Sequence, residues 1–280
     1  MRKIINTVIV ISILTAITFF SYKSYSSAKE LERVNTSYYK AQTDISKLIK
    51  RRFSSILDKI TMGMTKKSSK AVDLNMLKAK RIVLKEENKR YTIYLAISAT
   101  ILLLLYFILD ITTFSLTVAL ASLITLLYGI VTPILMIVIH KYVNYLGDIV
   151  LSFESKTIIG TIEHLYHNAN YPVAIVILLF SVIVPLLKTA SMIAVIIWKE
   201  LHIAKKLVAL FKHLGKWSML DVFVVSLLLV YLSAGSSENS YSEIESGLYI
   251  FLIYVILSII TSISVNSVLE GNSEKSVSVA

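Results

Sequence analysis

The chain has 280 residues, 55% of them hydrophobic and only 17% charged, with a mean hydropathy of +0.70. Soluble domains are roughly 45–50% apolar and about 25% charged, so these values argue against a soluble globular protein and for a membrane protein. The absence of cysteine excludes disulfides, cysteine zinc sites and thiol catalysis, and the net charge of +11 has to be located before it can be read.

The first apolar run, Ile4–Phe20, follows a basic Met1-Arg2-Lys3. Ser26-Ser27-Ala28 is a weak cleavage site, whereas the 17-residue length of the run and Lys23 favour an uncleaved anchor over a signal peptide. Residues 22–90 come next and hold 18 of the 29 basic residues against 7 of the 18 acidic ones. The whole charge excess therefore belongs to this segment, and the rest of the chain is neutral. Ile45, Ile49, Phe53, Ile56 and Ile60 recur at helical spacing, Met62-Gly63-Met64 and Lys66–Lys70 read as a turn, and a second helix starts near Asp73. The expectation is a helical hairpin outside the membrane.

Five further apolar runs follow: Tyr91–Leu109, Leu116–Ile139, Val173–Trp198, Val222–Ala234 and Leu248–Ile263. A transmembrane helix needs about 20 mostly apolar residues. The predicted fold is an all-α integral membrane protein with about six spans. Residues 141–171 carry an amphipathic pattern that reads as an interfacial segment. Residues 199–218 mix leucines with five lysines and suit contact with anionic lipid. Eight Lys/Arg lie on one set of short loops and termini, and only Lys141 and Lys156 on the other. The positive-inside rule then puts both termini in the cytoplasm. Residues 22–90 fall outside despite their charge, as long loops largely escape the rule. That placement argues against nucleic acid as the partner.

Ionisable residues inside apolar runs cost roughly 2.5–3.5 kcal/mol on insertion scales and are candidates for function. Lys188 lies about ten residues, or roughly 15 Å, from the end of its run at Trp198. Asp221 opens the next run, which would be antiparallel to it, so the two form a candidate pair. Such a pair is either a structural tie or a proton-linked switch. Pro185, three residues before Lys188, and Pro133 in the third run are expected to kink their helices. Asp110 reads as a helix end at the interface. His164 and His167 have helical spacing but no third ligand beyond Glu163, so no metal site and no cofactor is assigned. No Walker A, dinucleotide or GxSxG motif occurs, which points away from an enzyme.

Gly215-Lys216-Trp217-Ser218-Met219-Leu220-Asp221-Val222-Phe223 closely resembles the GRWSMLDVF signature of the paraquat-inducible protein A family. Ser181–Lys188 resembles its SxxxPLLK segment, and Thr157–Ile162 its TIxxG stretch. Tyr128–Met136 and Ser246–Phe251 resemble the end of its first span and the start of its last. The matches keep the family's order across about 115–266. The resemblance implies a four-helix membrane domain in the bacterial inner membrane, working with a periplasmic MCE-domain protein to move phospholipids between the inner and outer membranes. It maps the family's polar membrane network onto Ser181, Lys188 and Asp221, with Ser258 as the hydroxyl of the last span, and it raises the prospect of proton coupling. The expected organisation is an anchor at 1–21, a basic periplasmic module at 22–90, a second span at 91–114, the four-helix domain at 115–266 and a polar tail at 267–280. The family's CxxC zinc ribbon has no counterpart in a chain without cysteine, and the module at 22–90 is not explained by the resemblance. The alternative is a membrane sensor or scaffold built on the external module.

Overall fold

The computed structural model describes residues 2–43, 69–143, 147–197 and 240–277. Two long helices come first. Helix α1 spans Arg2–Thr43 and α2 spans Ser69–Leu104. At 1.5 Å per residue they run roughly 63 and 54 Å, well beyond a hydrocarbon core of about 30 Å. Their lower halves are apolar and their upper halves charged, so each is a membrane span continued into a free-standing helix. They pack antiparallel. Ile17 meets Leu95 and Leu102 low in the pair, and Leu31 and Val34 meet Leu84 and Leu77 high in it. Between these apolar layers Ser24 bonds Thr92 at 2.9 Å and, with Ser27, Asn88 at 3.3 Å. This confirms the helical hairpin as far as it is described; the stripe from Ile45 to Ile60 lies outside the described residues.

A 3-10 turn at Leu105–Phe107 reverses the chain, and Asp110, in extended backbone, precedes helix α3 (Ile111–Val131). Helix α3 is largely buried and pairs with the last helix, α7 (Ser246–Val277). The two backbones approach closely where Gly129 faces Phe251; a Cβ on Gly129 would stand 3.2 Å from the Phe251 Cα.

The third apolar run does not continue as helix. Thr132 takes an extended conformation (ψ 141°), as a residue before proline is pushed to do, and its hydroxyl closes the helix on the Tyr128 carbonyl at 2.6 Å. Pro133 therefore ends α3 and leads into a strand, correcting the expectation that it kinks a span. Strand β1 (Leu135–Val143) is central in an antiparallel sheet of order β2-β1-β3, with β2 at Gly147–Lys156 and β3 at Ser240–Ile244. The segment 141–171, read as amphipathic and interfacial, is thus strand in much of its first half. Ile158–His167, helix α4, carries the amphipathic pattern as a helix, with the Thr157 hydroxyl accepting from the Gly160 amide at 2.8 Å.

Side chains alternate along β1. Leu135 and Ile137 pack toward the core shared by α3, α4 and α7, whereas Met136 and Val138 pack with Tyr39 of α1 and Val150 and Phe153 of β2. The sheet is thus the layer between the membrane helices and the top of the hairpin.

The span carrying Lys188 is one helix in three parts: α5 (Tyr171–Leu178), a π turn at Leu179–Ile183 and α6 (Val184–Ile197). The π turn immediately precedes Pro185. Proline has no N–H to donate to the carbonyl four residues back and its ring crowds that carbonyl, so a wider turn there relieves the clash. Five described helices are long and apolar enough to cross a membrane, namely those within Ile4–Lys40, Leu74–Phe107, Ile111–Val131, Tyr171–Ile197 and Ser246–Val265. The predicted span at 222–234 lies outside the described residues. The all-α membrane architecture holds, with the small sheet as its one addition. Helix α7 runs on without a break past 266, where the four-helix domain was expected to give way to a tail.

Candidate functional site

Hydroxyls are common in these spans, and most are satisfied locally. Ser115, Thr117, Ser122, Thr125, Thr261 and Ser262 each donate to a backbone carbonyl three or four residues back, at 2.6–2.9 Å. Among the described residues, four fully buried serine and threonine hydroxyls depart from this habit. Ser21 in α1, Ser181 in the π turn, Thr189 in α6 and Ser258 in α7 are no more than 2% exposed, and their hydroxyls have no hydrogen-bond partner; the last three gather on two helices. An unmade bond at such a site costs about 1–3 kcal/mol. Where most other hydroxyls of the spans are satisfied by their own helix, such groups need an explanation other than stability.

Their placement is informative. Ser181, Pro185, Thr189, Met192 and Ile196 form the buried face of the α5–α6 span. Lys188 adjoins Thr189 and is half-buried. It lies nine residues, or roughly 13 Å, from the end of α6 at Ile197. On α7, Tyr254, Ser258, Thr261 and Val265 form the corresponding buried face. Val182 and Leu186 pack in the same core as Tyr254, Val255 and Ile259, so the segments carrying Ser181 and Ser258 meet there. The Ser262 hydroxyl reaches the Met192 sulfur at 3.7 Å one layer further on. The predicted members Ser181, Lys188 and Ser258 thus sit on two helices that pack together. Thr189 joins them; the sequence reading missed it, although its position four residues after Pro185 on the same face was available. Asp221 and the motif residues Gly215, Trp217, Ser218, Met219 and Leu220 lie outside the described residues.

A second polar cluster, also missed, joins the hairpin to the sheet. Lys85 of α2 forms an ion pair with Glu243 of β3. Arg81 stacks over Tyr39 at 5.0 Å and Tyr38 at 5.7 Å, and Tyr39 stacks on Phe153 at 4.8 Å. Beside them Glu245 links β3 to α7. Burial pushes its carboxyl up to about 7, helped by the negative charge of Glu243 and opposed by Lys85 and Arg81, with Glu32 adding a smaller upward push. The only trace in the sequence is complementarity: Glu243 and Glu245 stand just before a span, in a chain whose segment 22–90 is basic.

The start of α7 is tied to the end of α3. The Gly247 amide donates to the Pro133 carbonyl at 2.8 Å and the Glu245 amide to the Ile134 carbonyl at 3.0 Å, while Ile134 donates to Lys156 of β2 at 2.9 Å. Pro133 and the Ser246-Gly247 pair, far apart in sequence, are therefore one junction.

A family model described as "Paraquat-inducible protein A" matches residues 115–269, a stretch that begins near the start of α3 and ends within α7 and so contains the sheet, Lys188 and Asp221. The curated relatives include the "Intermembrane transport protein PqiA" of Escherichia coli K12 and the protein of the same name from Shigella flexneri. Each is 29% identical over 127 residues, covering 42% of this chain. The match spans 29% of the length of each relative. No solved structure matches. The hairpin of α1 and α2 lies outside the family match.

Proposed function

The chain belongs to the paraquat-inducible protein A family, and from that premise we propose that it is the inner-membrane subunit of an MCE-type system that moves phospholipid between the inner and outer membranes. Relatives named as intermembrane transport proteins support the class. In this reading the termini are cytoplasmic, and the sheet and hairpin face the periplasm and an MCE-domain partner. The protein is a transporter subunit, not an enzyme.

The observation that carries a transport role is the set of buried, unsatisfied hydroxyls on the helix that also holds Lys188. A static apolar core has no use for them. A core that admits a proton, a water or a lipid headgroup in part of a cycle does. Lys188 and Asp221 act as the switch: a proton added to the Asp221 carboxylate breaks the ion pair and leaves Lys188 as the one charge, and its release restores the pair, so uptake and release of one proton alternate two states. Ser181, Thr189 and Ser258 supply hydroxyls that donate in one state and accept in another. The π turn before Pro185 lets the helix change its hydrogen-bond register without unfolding.

Lys188→Ala and Asp221→Asn test this. Each is expected to abolish complementation of a deletion strain's envelope-lipid defect while the protein persists in the membrane fraction at wild-type level. Full complementation by both variants overturns the switch.

A further inference from the structure

The hairpin has a cleft of its own. A groove of about 580 Å³ opens between α1 and α2, walled by Tyr22, Tyr25, Lys29, Arg33, Leu77 and Lys80. Its base is at the level where the apolar halves of both helices end. Tyr22 and Phe19 are exposed there, in the manner of an aromatic interfacial belt, and Tyr25 contacts Tyr128 near the end of α3. The cations are arranged. The Lys29 ammonium donates to the Tyr25 hydroxyl at 3.1 Å and lies over the ring at 5.5 Å, which fixes it to the wall. Arg33 stands one turn above Lys29, and like charges four residues apart on a helix repel. Lys80 crosses from α2 and is paired with Glu30 at 2.8 Å. An anion between Lys29 and Arg33 would turn that repulsion into attraction.

Below the groove, on the same two helices, a second cleft of about 350 Å³ is lined by Val8, Ile9, Ser12, Ile13, Ala16, Ile101 and Leu105 and is almost entirely apolar. Around α1, Lys29 and Arg33 stand on average roughly 80° from positions 8, 12 and 16. From the middle of the Lys29–Arg33 pair to Ala16 is roughly 22 Å along the helix, about the half-thickness of a bilayer with its headgroups, roughly 20–22 Å. Cationic cleft above and apolar cleft below match the two ends of one amphiphile.

We propose that the α1–α2 hairpin binds a phospholipid lengthwise, with its phosphate between Lys29 and Arg33 and an acyl chain in the cleft beside Ala16. Charge complementarity selects an anionic headgroup: the groove is lined by three cations and the carboxylate of Glu30, and with Glu32, which also acts on Lys29 and Arg33, the balance is three to two. The site lies outside the region matched to the family and stands whether or not the membrane core moves lipid.

The test is binding of fluorescent phosphatidylglycerol to the full-length protein in uncharged detergent. Unlabelled phosphatidylglycerol is expected to compete at least tenfold better than diacylglycerol, which lacks the phosphate. The Lys29→Gln/Arg33→Gln double variant, at exposed positions, is expected to lose that preference and to weaken phosphatidylglycerol binding about tenfold with unchanged helicity. Ala16→Trp should weaken the lipid but leave competition by soluble glycerol phosphate as it was. Equal competition by phosphatidylglycerol and diacylglycerol on the wild type overturns the proposal, as does wild-type binding by the double variant. Glycerol phosphate or inorganic phosphate competing as well as the lipid would make the site one for a free phosphate and overturn the lipid assignment. Loss of transport in Lys188→Ala with this preference intact would separate the hairpin site from the membrane switch.

Discussion

Replacing Gly247 by alanine should destabilise the domain far more than a glycine-to-alanine change in the first turn of a helix ordinarily does. A Cβ at this position would overlap the carbonyl oxygens of Thr132 and Pro133 and approach the Pro133 carbonyl carbon at 2.8 Å. These are backbone atoms at the end of α3, so no rotamer change relieves the clash. Either α7 moves away or the Thr132–Pro133 segment shifts. Overpacking of this kind costs about 1–3 kcal/mol. Displacement also lengthens the Gly247–Pro133 hydrogen bond, worth about 1 kcal/mol. Against this stands up to about 1 kcal/mol of helix propensity, most of it the lower backbone entropy of the unfolded alanine chain. The net expectation is a loss of roughly 1–3 kcal/mol. Thermal unfolding in detergent, followed by tryptophan fluorescence, would show a midpoint lowered by several degrees. Gly129→Ala is the internal control. Its nearest contacts, at 3.2–3.3 Å to Phe251, are tight but not impossible, and its loss should be smaller. A Gly247→Ala protein as stable as wild type, or a Gly129→Ala protein less stable than it, would refute the reading of the junction.

The hydroxyls at Ser181 and Ser258 have no partner to lose, so Ser181→Ala and Ser258→Ala should leave the melting temperature unchanged or slightly raised while lowering transport; a fall in stability with intact transport would make them structural. Glu245 gives a pH signature. Its carboxyl ordinarily titrates near 4.5 and is held up at about 7 in the folded protein. Between those values the folded state binds the extra proton, so stability should fall as pH rises from about 4.5 to about 7 and level off above. Glu245→Gln should flatten that slope in melting curves taken across the range, and an unchanged slope would assign it to other groups.

The membrane helices were legible because length and hydropathy decide them with little help from context. Lys188 was legible for the same reason, as a charge that its surroundings made expensive. The sheet was not. Leu135-Met136-Ile137-Val138-Ile139 is apolar at every position because both faces of β1 are covered, by the membrane core on one side and by Tyr39 and Phe153 on the other. A strand buried on both faces shows no alternation and merges with the helix before it. Pro133 was the available punctuation, and it was read as a bend within a span rather than as a stop. Ser181 and Ser258 were singled out in the sequence only through family resemblance. A serine in an apolar run looks the same whether it bonds its own helix, as Ser122 does, or nothing at all. The cluster around Glu245 joins residues of four elements, and no local pattern announces it.

The junction of Pro133 and Gly247 also decides which helices have freedom to move. Helix α3 leads directly into β1, and α7 issues directly from β3, the strand paired beside it. The two helices are the legs of a staple whose bridge is the sheet, and neither can tilt alone without tearing strand from strand. The span containing Lys188 enters from β2 through the short helix α4 and a turn at Asn168–Asn170, with a π turn in its middle. In the proposed cycle it is the moving part set against that frame, and the hydroxyls of Ser181, Thr189 and Ser258 lie along the seam where the two would slide.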